Sequence, residues 1–240
     1  MYPNKISLTE KLVLAAVVVI IAVGFLLLYT NYSLYTAYTT EDSLVEWLTV
    51  VGLLMGAYVC FHRAFRIGTS KGILFLVTAL MMGGVLFLGA GEEISWGQRL
   101  LGIESPEYFK KNNTQAETNI HNLIVGGVRI NRWIFSFLLT AVLSFYLIIL
   151  PILYRTKAWA RRLVKFWGIP LPKTYQTVFT VLLFAVVTQL MDDPEEWELL
   201  ECGTAFLLFL VIAFPVNKED FTRASIPAPE GEHPPTKAGH

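Results

Sequence analysis

Leu12-Val-Leu-Ala-Ala-Val-Val-Val-Ile-Ile-Ala-Val-Gly-Phe-Leu-Leu-Leu-Tyr29 is an apolar run with no charged residue in it. A helix needs about 20 mainly apolar residues to cross roughly 30 Å of hydrocarbon, and this run comes close unaided. It is long for the h-region of a secretory signal and no small-residue cleavage site follows, so a retained helix is expected. The same pattern recurs in Trp47–Phe61, Gly72–Gly91, Trp133–Tyr154 and Thr174–Met191, all free of charge. A sixth run, Cys202–Val216, is too short to span alone.

Composition points the same way. The chain is 54% hydrophobic and 16% charged over 240 residues, with a mean hydropathy of +0.52, whereas soluble domains carry about 25% charge. Net charge is zero, so no basic field calls for a nucleic-acid partner. The expected fold is an all-α integral membrane bundle of six transmembrane helices, over 12–30, 44–62, 72–92, 133–154, 174–191 and 194–216. These form a single domain, 1–216, and the proline-rich tail 217–240 is expected to be disordered.

Short cytoplasmic loops collect Lys and Arg. Fourteen of the nineteen basic residues precede helix 1, follow helix 6, or lie in the 2–3 and 4–5 connections. The other five, Arg99, Lys110, Lys111, Arg129 and Arg132, share the long 3–4 loop. Every alternate connection therefore agrees on a topology with both termini cytoplasmic. The segment 155–167 alternates cations with Trp159, Leu163, Val164, Phe166 and Trp167, which suits an amphipathic helix lying on an anionic leaflet. Membrane lipids are the expected partners, together with other membrane helices that the small residues Ala79, Gly83, Gly84 and Gly89 would admit. Cys60 and Cys202 fall near opposite faces, too far apart for a disulfide.

Acids mirror the bases, and several have a structural explanation. Ser43-Leu-Val-Glu46 reads as a capping box, and Asp193-Pro194-Glu195-Glu196 as a capped helix start with Pro194 at its first position. Glu198 and Glu201 do not fit that account. Cys202–Val216 needs their turn to complete a span, which puts Glu198 and Glu201 one and two turns inside a helix that starts near Pro194, Glu201 roughly 10–12 Å along it. Acids at such depth face a partner, a cavity or a bundle interior. Glu195 shares their face at spacing three.

Two further stretches belong to the same side. Glu92-Glu93-Ile94-Ser95-Trp96-Gly97-Gln98-Arg99 ends helix 3, and if the helix continues through it, Glu92, Ser95 and Arg99 share a face. Alternatively Glu92 and Arg99 form an interfacial pair. In Asn113-Thr114-Gln115-Ala116-Glu117-Thr118-Asn119-Ile120-His121-Asn122, Glu117 and His121 are four apart, a spacing that offers a carboxylate and an imidazole to one ion from a helix. Thr114 and Glu117 also read as a capping box. Ile120, Leu123, Ile124, Val128 and Ile130 suggest a helix lying on, or re-entering, the outer membrane surface.

Glu92, Glu93, His121 and Glu198 are thus the candidate catalytic groups, and Glu117, His121, Glu198 and Glu201 the candidate metal ligands. An oxygen-rich set with one imidazole suits Mn, Fe, Mg or Zn. The implied function is a metal-dependent enzyme acting on a lipid or lipid-linked head group, with a proton- or cation-coupled transporter and a membrane scaffold as the competing readings. The two quoted motifs, spanning roughly residues 90–123, resemble the signature of a prokaryotic multi-pass membrane-protein family to which no activity is attached. That resemblance adds weight to the site and implies no reaction; the expected location is the prokaryotic plasma membrane. The Ser, Asp and three His of alkaline-ceramidase-like hydrolases are not matched, nor the paired Glu-x-x-His units of ferritin-like sites.

Overall fold

Ser7 opens the first helix: its hydroxyl accepts from Glu10 N at 3.2 Å while Glu10 Oε2 accepts from Ser7 N at 2.7 Å, a reciprocal cap. From there α1 runs Leu8–Thr30, followed at once by α2, Tyr32–Thr39. The computed structural model describes residues 5–40, 42–129, 137–191, 193 and 195–222. Ser43 caps α3, which runs Leu44–Lys71, well past the expected end at 62 because Arg63 and Arg66 sit on the helix rather than in a loop. Gly72 ends it with φ +103, a conformation open to glycine, and α4, Ile73–Glu93, starts on the next residue. The two helices form a tight hairpin in which Gly83 lies against Phe61 and Cys60. That small residue serves internal packing, while Gly84 has open space beside it.

The 3–4 loop departs from the helical expectation. α4 stops at Glu93, and Ser95, Trp96 and Gly97 all take positive φ, so no continuing helix puts Glu92, Ser95 and Arg99 on one face. Two short helices follow, α5 (Gln98–Leu101) and α6 (Glu107–Asn112). The stretch 113–123 is a loop closed by a bridge between Asn113 and Leu123, not a helix. Asn113 Oδ1 accepts from Gln115 N at 2.8 Å and Glu117 N at 3.3 Å, so its side chain takes the donors that a helix would use. Then comes a hairpin, β1 (Ile124–Val125) against β2 (Val128–Arg129), turned on Gly126 and Gly127. An interfacial or re-entrant helix is therefore absent from the described part of this loop; Ile130 lies outside the described residues.

The next span is described from Phe137, so its expected start at 133 lies outside the described residues. It contains α7 (Leu139–Ser144), a wider π turn over Phe145–Ile149, and α8 (Leu150–Thr156). α9 is Ala158–Trp167, α10 Thr174–Leu190 and α11 Glu196–Ala213. Pro194 and Asp192 lie outside the described residues, and α11 starts two residues later than the capping motif suggests. Glu201 is then roughly 7.5 Å from the helix start, shallower than expected.

α11 is the central helix. It is apolar on nearly all sides, as a helix surrounded by others must be, and eleven of its residues are buried. Gly52 of α3 lets the backbone of Ala205 approach, while Gly24 and Gly203 admit Leu199 and Leu183. Leu199, Leu207, Leu210 and Val211 are fully enclosed, and Cys60 and Cys202 are buried free thiols.

The chain stays ordered beyond the expected boundary at 217. Asn217 is buried, accepting from Leu171 N and donating to Ile169 O, each at 3.0 Å, and a turn over Lys218–Phe221 follows. Arg63 closes the same end of the bundle, donating to Ile212 O (2.5 Å) and Ala213 O (3.2 Å) and lying over the Phe221 ring.

Among the described residues, four helical stretches are long and apolar enough to cross a membrane: Leu8–Thr30, Tyr32–Lys71, Ile73–Glu93 and Leu139–Thr156. This is a helical membrane protein. α10 is apolar but only 17 residues long, and α11 carries three glutamates in its 18 residues. Contacts place the start of α1, the end of α3 and α9 at one end of the bundle. Glu46, Glu93, Arg99, His121 and Glu198 gather at the other.

Candidate functional site

Three helix ends converge at the acidic end of the bundle. Glu46 lies in the first turn of α3, Glu93 is the last residue of α4, and Glu198 lies in the first turn of α11, with Glu201 one turn further in. Glu93, Glu198 and Glu201 bring one carboxylate oxygen each to within 4.8 Å of one another. Glu201 is the most exposed of the three. Beside them is a cavity of about 30 Å³ lined by Glu46, Glu93, Arg99, Gln115, His121 and Glu198. That volume suits an ion or one or two waters, not an organic substrate.

The wall over this cavity is the 3–4 loop, and a polar lattice holds it there. Arg99 is the hub. Its guanidinium reaches Asp42 through Nε (3.2 Å), Glu46 through Nη2 (3.1 Å) and Glu117 through Nη1 (3.2 Å). Fork-like donors in fixed directions are what let one arginine join three segments. Glu46 also accepts from Asp42 N. Glu117 Oε2 accepts from the buried Ser95 hydroxyl, which in turn accepts from Asn119 Nδ2 at 2.8 Å. Asn113 Nδ2 donates to Asn119 Oδ1 at 2.8 Å, and Gln98 Oε1 accepts from Thr118 N at 2.8 Å.

Glu92 does similar work. Its carboxylate accepts from Trp96 Nε1 (3.0 Å), Ile120 N (2.5 Å) and His121 N (3.2 Å). It therefore pins the backbone that presents His121, and the proposed Glu92–Arg99 pair is replaced by these bonds. His121 Nε2 lies 3.0 Å from Asn122 Nδ2, which also donates to Gln115 Oε1. An amide nitrogen can only donate, so Nε2 accepts and the ring proton sits on Nδ1. Burial pushes the imidazole down from its usual range, against the opposing pull of the Glu92 and Glu117 charges. A neutral ring at pH 7 follows.

The structure thus sorts the candidates. Glu93, Glu198 and Glu201 meet, and His121 shares the cavity with Glu93 and Glu198. Glu92 and Glu117 spend both carboxylate oxygens on the lattice. Glu195 is not in the triad. Its side chain lies near Asp193, and burial, then the Asp193 charge, raises its proton affinity.

Glu46 is the cavity residue that sequence reasoning missed, since its capping role was explanation enough. The available signal was its isolation. It is the one charge between Ser43 and Phe61, one turn inside a span, just as Glu198 is inside α11. Arg99 was visible, but not as the centre of three pairs.

No protein-family model, curated protein or solved structure matches this chain.

Proposed function

We propose that the carboxylate triad holds a divalent metal ion at the outer membrane face, and that the protein is an enzyme acting on a lipid or lipid-linked head group there. The observation that carries this reading is the meeting of Glu93, Glu198 and Glu201 within 4.8 Å. Three like charges at that spacing repel one another even where water reaches them, and a bound cation or a shared proton would relieve that repulsion. All three ligands are oxygens and a neutral imidazole stands beside them, which suits Mn, Fe, Mg or Zn.

An ion at this site would supply Lewis acidity toward a phosphoryl or carbonyl oxygen. His121 is neutral and held through its backbone, and its one lone pair, on Nε2, would take a proton from attacking water by exchanging the Asn122 amide for that water. Glu46 adds a second acceptor in the cavity. Arg99, Glu92 and Glu117 position the loop. In this reading six helices span the membrane, with α10 and α11 completing the set, and both termini face the cytoplasm of a prokaryotic cell because the basic connections lie on that side.

A proton- or cation-coupled carrier is the second reading, since protons could neutralise the same triad. It needs a polar route to the far side. The inner half of α11 offers Leu207, Leu210, Val211 and Ile212, all buried, and this closure favours the enzyme. Elemental analysis of the protein purified in mild detergent tests the proposal, with Glu201→Gln and His121→Ala beside wild type. Stoichiometric metal in wild type, lost in Glu201→Gln, is the expected result. Metal-free wild type, with all three proteins equally folded, would remove the metal site and leave the carrier or a partner-binding scaffold.

A further inference from the structure

At 100° per residue, α9 divides into three arcs. Ala160 and Val164 face the bundle and are buried, with Val164 packed beside Leu150 and Leu171. Next to them Trp167, Leu163, Trp159 and Phe166 form an apolar arc that is left exposed, Phe166 by 64% and Trp159 by 56%. Arg161, Lys165 and Arg162 make up the remaining arc, all exposed. A water-facing helix does not gain by exposing such aromatics, and a spanning helix does not carry three cations in five residues.

The helix's place in the fold settles which environment fits. α8 ends at Thr156 and α10 begins at Thr174, so α9 lies where the chain turns back at the end of the bundle. Gly168, which ends α9 with φ +65, abuts Phe75 in the first turn of α4. With α4 read as a spanning helix, its first turn lies at the level where hydrocarbon gives way to head groups. There an apolar arc can enter acyl chains while cations reach phosphates.

The three cations are not equivalent. Arg161 donates to Tyr154 O and Arg155 O, both at 3.2 Å, and so closes the end of α8. Arg162 and Lys165 have no hydrogen-bond or ion-pair partner among the described residues. At this end of the bundle Glu10 is committed to Lys173 at 2.6 Å and Asp220 to Asn217 Nδ2 at 2.9 Å, and the exposed Glu219 pairs with neither cation.

We infer that α9 is a docking surface for anionic phospholipid, with phosphate against Arg162 and Lys165 and acyl chain along Trp159, Leu163 and Phe166. This surface is at the opposite end from the carboxylate triad and does not depend on the reading of that site.

The test uses the full-length protein in bilayers that contain brominated phosphatidylglycerol or brominated phosphatidylcholine at equal mole fraction. Tryptophan quenching is measured, and the α9 component is isolated by difference against a Trp159→Phe/Trp167→Phe variant. The α9 component is expected to be quenched in both lipids, with a preference for phosphatidylglycerol. Each cation at an anionic surface is worth about a fivefold bias, so two cap the preference near roughly 25-fold. An Arg162→Gln/Lys165→Gln variant should keep the quenching and lose the preference, as should wild type in 1 M salt. Absence of quenching in either lipid would put the arc outside the bilayer and overturn the proposal. Equal quenching by the two lipids in wild type, or a preference that survives in the charge variant, would overturn it equally.

Discussion

Carboxylates gather at both ends of this bundle, and the two ends neutralise them differently. At the basic end Glu10, 1% exposed, accepts from Lys173 Nζ at 2.6 Å, from the Tyr175 hydroxyl and from Ser7 N at 2.7 Å. One acid thus meets one cation and two neutral donors within the chain. At the acidic end Glu93, Glu198 and Glu201 meet one another, and Arg99, the cation that lines the cavity among the described residues, already joins Asp42, Glu46 and Glu117. The first arrangement is a clasp between α1 and α10. The second accumulates negative charge beside a cavity, which is costly for stability alone and is the feature on which the proposed cation site rests.

Breaking the clasp tests that difference most directly. Lys173→Met leaves Glu10 without its counter-charge, and removing one partner of a buried pair costs about 3–5 kcal/mol. Glu10 is in the first turn of α1, close to the bundle end, and retains Tyr175 and Ser7, so the low end of that range, about 3 kcal/mol, is expected. The measurement is the thermal unfolding midpoint in detergent, with Glu10→Gln/Lys173→Met as the control. The double variant should recover much of the loss. If Lys173→Met unfolds like wild type, Glu10 is not held by an ion pair. In contrast, Glu201→Gln relieves repulsion when no metal is bound, and should leave the metal-free protein as stable as wild type or more so.

The two ends also differ in how far they were legible. Long apolar runs announce helices because a hydrocarbon core has a fixed thickness, and α1, α4 and α10 lie close to their expected bounds. α3 outran its prediction since Arg63 and Arg66 look like loop residues until Arg63 is seen capping α11. In the 3–4 loop the sequence misled. Four-residue spacing between Glu117 and His121 suits a helix, but Asn113 and Asn119 offer the backbone competing bonds, and side chains of that type win in short polar segments. Positive φ at Ser95 and Trp96 had no signal at all, because neither residue favours it. The acids of the site were legible as acids out of place. Which of them would meet was not, since it depends on how three helix ends and one loop pack.

Arg99 sharpens the comparison at the acidic end. Arg99→Met deprives the nearly buried Glu46 and Glu117 of their shared cation. These carboxylates border a cavity where water can enter, so the cost should be lower than at the clasp, about 1–2 kcal/mol. Its clearer consequence is positional. Without Arg99 the loop loses its tie to Glu46 and is left with Glu92 to hold His121 over the cavity, so metal affinity should fall even though no triad residue has changed. Calorimetric titration with Mn²⁺ against wild type measures this. Unchanged affinity would show that the triad works without the loop.

The smallest effect belongs to the exposed pair in the same loop. Lys110 Nζ lies 2.9 Å from Glu104 Oε2, with Glu104 87% exposed. The Lys110 hydrogen bond, and then its charge, holds the Glu104 carboxyl below its usual range. A depressed carboxylate contributes only above its unfolded value, and the contribution fades as pH falls through the folded one. In water and salt such a contribution is nearly nil. Lys110→Gln should therefore return Glu104 to ordinary titration without moving the unfolding midpoint, at low salt or high. A midpoint that did move would mean that this loop carries load beyond its Arg99 lattice, and the contrast between a clasped end and a charged, open one would have to be redrawn around Glu104 as well.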